Sequence, residues 1–138
     1  MTGGADPALV REALAYGRGL LIQDGDLVLD AGRLVEVAGR ANLEQALLLR
    51  ISTPWADDRL NTGYGLDATE AFTAGLPRSL VKEVLRLNLI RTLAGDPRVV
   101  AVDQVLFDDD PAYLAAYPQT AGARQAGDRR VSLAEITI

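Results

Sequence analysis

The chain has 138 residues, 49% of them hydrophobic, and nineteen acidic against fourteen basic side chains leave a formal charge of −5. This is enough for one globular domain, spanning 1–138, that buries a core without staples. With neither cysteine nor histidine, disulfides, thiolate catalysis and cysteine or histidine zinc sites are excluded, and the commonest general base near neutral pH is missing.

Residues 1–6 read as a loose tail. Asp6-Pro7 is a helix start, with Asp6 as N-cap and Pro7 at the first helical position, and the helix runs to about Tyr16 before Gly17. Leu20 to Gln23 and Asp26 to Asp30 flank Asp24-Gly25, a strong hairpin signal. Ala31-Gly32 makes a second turn into Arg33 to Val37, so a three-stranded meander is expected. No internal repeat or low-complexity block is evident. Asn42 and Gln45 have capping-box spacing and open a helix through Leu43, Ala46, Leu47 and Ile51, which Pro54 closes. Trp55 to Gly65 is a loop with few apolar anchors. Asp67 with Glu70 starts a short helix that stops by Gly75.

The centre of the chain is Leu80 to Phe107. Leu80, Val81, Val84, Leu85, Leu87, Leu89, Ile90 and Leu93 cover more than half of a helical wheel, which predicts a helix covered on several sides. Gly95 suits the left-handed position past a helix end, and Pro97 forces Asp96 out of the helix. Val99 to Phe107 places apolar residues on both faces, as a buried strand does. Arg98 is a permanent cation between the helix and this strand. Asp108-Asp109-Asp110-Pro111 ends the strand and caps a helical turn through Tyr113 and Leu114. Residues 118–128 form a polar, glycine-containing loop, the segment expected to be flexible. Arg130 to Ile138 alternates like a strand and is expected to pair antiparallel with Arg98 to Phe107.

Nineteen carboxylates raise the question of acid catalysis. A glycosidase needs two carboxylates opposed across a cleft, whereas Asp57-Asp58 and Asp108-Asp109-Asp110 lie in turns, where Asp bonds locally and stays solvated. Oxygen ligands at the Asp108 cluster would suit calcium or magnesium, but the spacing fits no EF-hand loop. Gly63-Tyr64-Gly65 is followed by no Lys-Ser/Thr and is a structural turn rather than a phosphate loop. No catalytic residue, metal site or cofactor is therefore assigned. The net negative charge argues against wrapping nucleic acid. No apolar run reaches membrane-spanning length and the first residues lack signal-peptide segments, so a cytoplasmic chain without membrane insertion is expected. Asp96-Pro97-Arg98 stands apart, because a guanidinium held at a turn presents a rigid fork suited to carboxylates or carbonyls of a partner.

An ordered set of motifs resembles the gene-25-like baseplate wedge family of contractile tails, which includes sheath initiators of phage tails, tailocin-like particles and type VI secretion systems. The set comprises the strand and turn before Gly39, Asn42-Leu43-Glu44-Gln45-Ala46-Leu47 followed by Arg50-Ile51-Ser52-Thr53-Pro54, and the loop ending Gly63-Tyr64-Gly65-Leu66-Asp67. It closes with the long helix entering Asp96-Pro97-Arg98-Val99, where the tripeptide is similar to the family's Glu-Pro-Arg with Asp in place of Glu. The resemblance covers about Gly19 to Phe107 and departs at Trp55 to Thr62, where the family has a Gly-Glu-type turn. It implies an α+β domain, a small mixed or antiparallel sheet against two or three helices. The implied function is assembly: a baseplate subunit joining the wedge to the first sheath ring by strand addition. The implied partners are wedge proteins and sheath, with tube or hub proteins as further candidates, and six copies would surround the tail axis of a particle assembled in the cytoplasm. The candidate partner-binding residues are Asp96, Pro97 and Arg98 at the turn, and Val131, Leu133, Ile136 and Ile138 on the last strand. A lysozyme-like label attached to some members implies the alternative of a small cell-wall hydrolase, for which no acid here lies in an apolar pocket motif that would raise its pKa. A generic adaptor domain is the other alternative.

Overall fold

The computed structural model describes residues 6–118 and 132–138. Most of the expected tail and of the expected flexible loop, and Val131, lie outside the described residues. The elements are α1 (Pro7–Tyr16), six short strands β1 (Arg18–Leu20), β2 (Ile22–Gln23), β3 (Asp26–Leu27), β4 (Leu29–Asp30), β5 (Arg33–Leu34) and β6 (Glu36–Ala38), then α2 (Gly39–Ser52) and α3 (Thr69–Thr73). They are followed by α4 (Arg78–Ala94), β7 (Ala101–Phe107), α5 (Pro111–Ala116) and β8 (Ser132–Thr137). The class is α+β, with every strand pairing antiparallel. Leu43 and Leu47 of α2, Leu93 of α4 and Val99 form the buried core, and Tyr16, Ile51, Val102, Ile136 and Ile138 pack against it.

α1 forms as its start signal predicts: the Asp6 carboxylate accepts from Ala8 N at 2.9 Å and Pro7 occupies the first turn. The expected meander is replaced by three two-stranded ribbons that meet at one point. β1 pairs with β6, β2 with β3 and β4 with β5. At the junction, Leu21 N donates to Val35 O, Val28 N to Leu21 O and Val35 N to Val28 O, at 2.8 to 3.0 Å, closing a ring of three hydrogen bonds. The three residues are seven apart, and all are half-buried. A repeat therefore does exist: Leu21-Ile22-Gln23-Asp24-Gly25-Asp26-Leu27 is followed by Val28-Leu29-Asp30-Ala31-Gly32-Arg33-Leu34. Each unit folds back on itself through a turn with both central residues at positive φ, 53° and 86° for Asp24-Gly25 and 47° and 77° for Ala31-Gly32.

Four further expectations are corrected. α2 begins at Gly39, and Asn42 and Gln45 do not cap it. Instead Asn42 Nδ2 donates to Tyr16 O at 2.9 Å, while Gln45 accepts from Ile22 N and donates to Leu20 O. These side chains fasten the ribbon stem to the helix. Gly95 ends α4 at φ −73°, not in the left-handed region; its missing side chain leaves room for Arg50, whose Nη2 would lie 3.0 Å from a Cβ there. α4 is covered mainly along Leu89, Thr92 and Leu93, leaving Leu80 and Leu87 half exposed. β7 is likewise only partly covered: Val105 is buried, Val102, Leu106 and Phe107 are half-buried, and Ala101, Asp103 and Gln104 are exposed. Among the described residues β7 pairs with β8 alone, so α4 packs on a two-stranded ribbon rather than on a wide sheet.

Candidate functional site

The helix–strand turn is fixed by two residues of the expected tripeptide. Arg98 grips Asp96 with both sides of its fork, Nε to Oδ1 at 2.8 Å and Nη2 to Oδ2 at 2.7 Å, and its main-chain N donates to Oδ1 at 3.0 Å. Its remaining arm, Nη1, donates to the carbonyl of Tyr16 at 3.0 Å. That carbonyl is in the last residue of α1, where helix carbonyls lack intrahelical partners and a cation is favoured. The fork thus finds its acceptors within the chain and ties α1 to the end of α4. The Arg98 contact holds the Asp96 carboxyl below the usual carboxylate range, against the opposing effect of burial. Asp96 raises the already high Arg98 in return. Pro97 stays exposed beside the pair.

A second ionic cluster occupies the other end of β7. Lys82 reaches Asp109 at 2.8 Å and also pairs with Asp110. Arg86, one turn on, binds Asp110 at 3.0 Å and Glu83 at 3.2 Å, and both cations stand within 6 Å of the Phe107 ring centre, at 5.7 and 5.0 Å. Asp108 and Asp110 are buried, 1% and 8% exposed, which corrects the expectation of solvated turn acids. Burial pushes the Asp110 carboxyl up, but hydrogen bonds from Arg86 and Lys82 outweigh it and leave the group well below its ordinary value. Among the described residues, no group of three acidic side chains is arranged to hold a metal ion.

The cluster also touches main chain. Arg86 donates to Val105 O, and Asp110 accepts from Phe107 N at 2.8 Å. Val105 and Phe107 are two apart, so in an antiparallel ladder their main-chain groups point the same way, here away from β8. The outer edge of β7 is therefore occupied by side chains at two positions.

β8 pairs with β7 as expected, in the register Phe107↔Ser132, Leu106↔Leu133, Val105↔Ala134 and Gln104↔Glu135, with an irregularity between Val102 and Gln104. Gln104 bonds Glu135 at 2.7 Å and Thr137 bonds Asp103 at 2.7 Å, fixing register on both sides of it. The register puts the main-chain groups of Ser132 and Ala134, partners of Phe107 and Val105, on the outer edge of β8. Of the candidate residues on this strand, Ile136 and Ile138 turn toward the core and are half-buried against it. Leu133 is placed by its backbone opposite Leu106, and Val131 lies outside the described residues. The capping of β7 by Arg86 and Asp110 was not anticipated from sequence. The only sequence signal for it is the Lys82–Arg86 spacing of four residues, which places two cations on one helix face.

Among the described residues no helix is long and apolar enough to cross a membrane. No protein-family model matches the chain, and no curated protein matches it.

Proposed function

We propose that this chain is a structural subunit of the baseplate of a contractile injection particle, joining the wedge to the first sheath ring by accepting a strand on the outer edge of β8. The observation that carries the choice of edge is the difference between the two sides of the ribbon. β7 has its outward main-chain groups taken by Arg86 and Asp110, while Ala134 and Ser132 offer theirs outward. An incoming strand gains affinity from such groups and register from the alternate side chains. The ordered motifs from Gly19 to Phe107 support the family assignment. The wedge proteins cover other apolar surface of the subunit, six copies surround the tail axis, and assembly takes place in the cytoplasm.

In this role the Asp96-Pro97-Arg98 turn meets the wedge partners as a rigid shape, its fork holding α1 in place behind it. The opposite reading, a cell-wall hydrolase, needs a carboxyl raised into the acid-catalyst range. Asp96 and Asp110 are both displaced downward, which favours assembly.

The experiment is sheath polymerisation on baseplates built with Ala134→Pro. Proline removes an N–H that points away from β7, so the ribbon keeps its own ladder while the outer edge loses a donor. Folded subunits in complete baseplates that carry no sheath are the expected result. Sheath of normal length would show that docking occurs elsewhere, and release of cell-wall fragments by the purified chain would replace assembly with hydrolysis.

A further inference from the structure

A cavity of about 370 Å³ lies between α2, α4 and the loop that joins α2 to α3, lined by Arg50, Trp55, Asp67, Asn88, Arg91 and Thr92 among others. Its walls are fixed. Asn88 Nδ2 donates to Asp67 O at 2.7 Å and Thr92 Oγ1 to Gly65 O at 3.4 Å, which holds the loop against one face of α4. Across the loop, Leu66 N donates to Thr53 O at 2.8 Å and Trp55 N to Leu66 O at 3.1 Å.

Two cations line this space, Arg50, whose charge also acts on Asp96 behind it, and Arg91. Arg50 lies over the Tyr64 ring, 5.2 Å from its centre, and its Nε is buried with no acceptor among the described residues. A buried donor left unpaired is costly, and native chains rarely leave one so. Arg91 is exposed on the α4 side and forms no ion pair among the described residues. With Asp67 as the one acidic lining residue, the cavity carries a net single positive charge. That balances one carboxylate rather than a phosphate dianion. The planar fork of arginine fits a carboxylate with two parallel bonds. At the rim stands Trp55, half exposed, and Trp beside Arg is the composition of binding hot spots in protein interfaces.

We infer that this cavity is a recognition pocket for an acidic side chain of a peptide segment, with Arg50 and Arg91 on the carboxylate and Trp55 against the backbone that presents it. The inference stands apart from the strand-docking proposal, uses none of the residues of β8 and would survive its failure. The bland alternative is that both arginines, each in the last turn of its helix, only offset the helix dipole. That alternative predicts no ligand response.

Trp55 is the chain's only tryptophan, so its fluorescence reports on the pocket without labelling. The test is titration of the full chain, at physiological salt, with the capped pentapeptide Ala-Ala-Glu-Ala-Ala, its Gln counterpart, free glutarate and inorganic phosphate. A saturable change with the Glu peptide, weakened about tenfold by Arg91→Gln and kept by Arg59→Gln, is the expected result. Arg91→Gln alters an exposed side chain and should leave the melt of the chain unchanged. The inference is overturned if Trp55 does not respond to the Glu peptide, if the Gln peptide acts equally, or if Arg91→Gln binds as well as the parent. Stronger binding of glutarate would make it a small-acid site, and stronger binding of phosphate a phosphate site, and either would also overturn it.

Discussion

At Arg98 one side chain joins three parts of the chain: the end of α1, the end of α4 and the start of the last strand pair. Removing it strands the carboxylate of Asp96, a residue 6% exposed, and leaves the terminal carbonyl of α1 with Asn42 as its remaining side-chain donor. Arg98→Ala should therefore destabilise the fold by about 2–3 kcal/mol, read as a lower midpoint in urea unfolding. Arg98→Lys keeps the charge but loses the two-sided grip, and should fall between. If Arg98→Ala melts like the parent yet fails to bind wedge partners, its fork serves the interface and not the fold. Acid is the second probe at this scale. Asp96 and Asp110 are both lowered in the folded chain, so the unfolded chain takes up their protons first as pH falls. Their contribution is complete above the unfolded value near ~4 and is lost as pH drops through the folded values. Thermal melts from neutral pH downward should stay flat to about pH 5 and fall below about pH 4. Asp110→Asn should lose stability at neutral pH and show a shallower acid slope; an unchanged slope would remove Asp110 from the account.

The three-ribbon junction is decided at the scale of elements. Each seven-residue unit has only two paired residues per strand, too little for a stable hairpin alone. The ring of bonds at Leu21, Val28 and Val35 and the clamps from Asn42 and Gln45 supply what each arm lacks. Within the arms, Ala31 sits at φ 47°, a conformation that disfavours alanine and suits asparagine. Ala31→Asn should accordingly raise stability by about 0.5–1 kcal/mol, seen as a higher unfolding midpoint with unchanged far-ultraviolet spectrum. The loop behind the arginine cavity runs the other way. Gly65 has φ +110°, and a Cβ there would lie 2.6 Å from the carbonyl oxygens of Thr53 and Pro54. Gly65→Ala should cost about 2–4 kcal/mol and abolish the response of Trp55 to ligand, because the Thr53–Leu66 contact that shapes the cavity cannot form.

Over the whole molecule, the apolar surface exceeds what one copy covers. Leu80 and Leu87 on α4, Phe72 on α3 and Leu48 on α2 are each at least half exposed. Scattered leucines are ordinary on a surface, but Leu48 and Phe72 line apolar grooves beside α2 and α4, and with Leu80 and Leu87 they indicate a chain shaped to be covered. The isolated protein should therefore self-associate with rising concentration, as measured by sedimentation velocity. The double change Leu80→Glu with Leu87→Glu should leave a monomer whose melt is unaltered. A parent chain that stays monomeric throughout would show that this surface is tolerated in water.

Local chemistry was legible in the sequence wherever neighbours in the chain settle it. Asp6-Pro7 starts a helix, Asp24-Gly25 turns a hairpin and Pro97 ends α4, because capping, φ preference and a missing N–H act within a few residues. The strand character of the last segment follows from periodicity, which needs no knowledge of contacts, whereas the α+β class was what the resemblance implied. Tertiary structure alone decided the uses of Asn42, Gln45 and Arg98. Asn42 and Gln45 have a capping role written in their spacing and spend their hydrogen bonds instead on Tyr16 and the ribbon stem, segments distant in sequence. Arg98 adds to its local grip on Asp96 a bond to the distant Tyr16. The same holds for burial of α4 and β7. An apolar wheel states how much surface could be covered, and only the neighbours that arrive, α2, α3 and β7 for the helix α4, determine how much is.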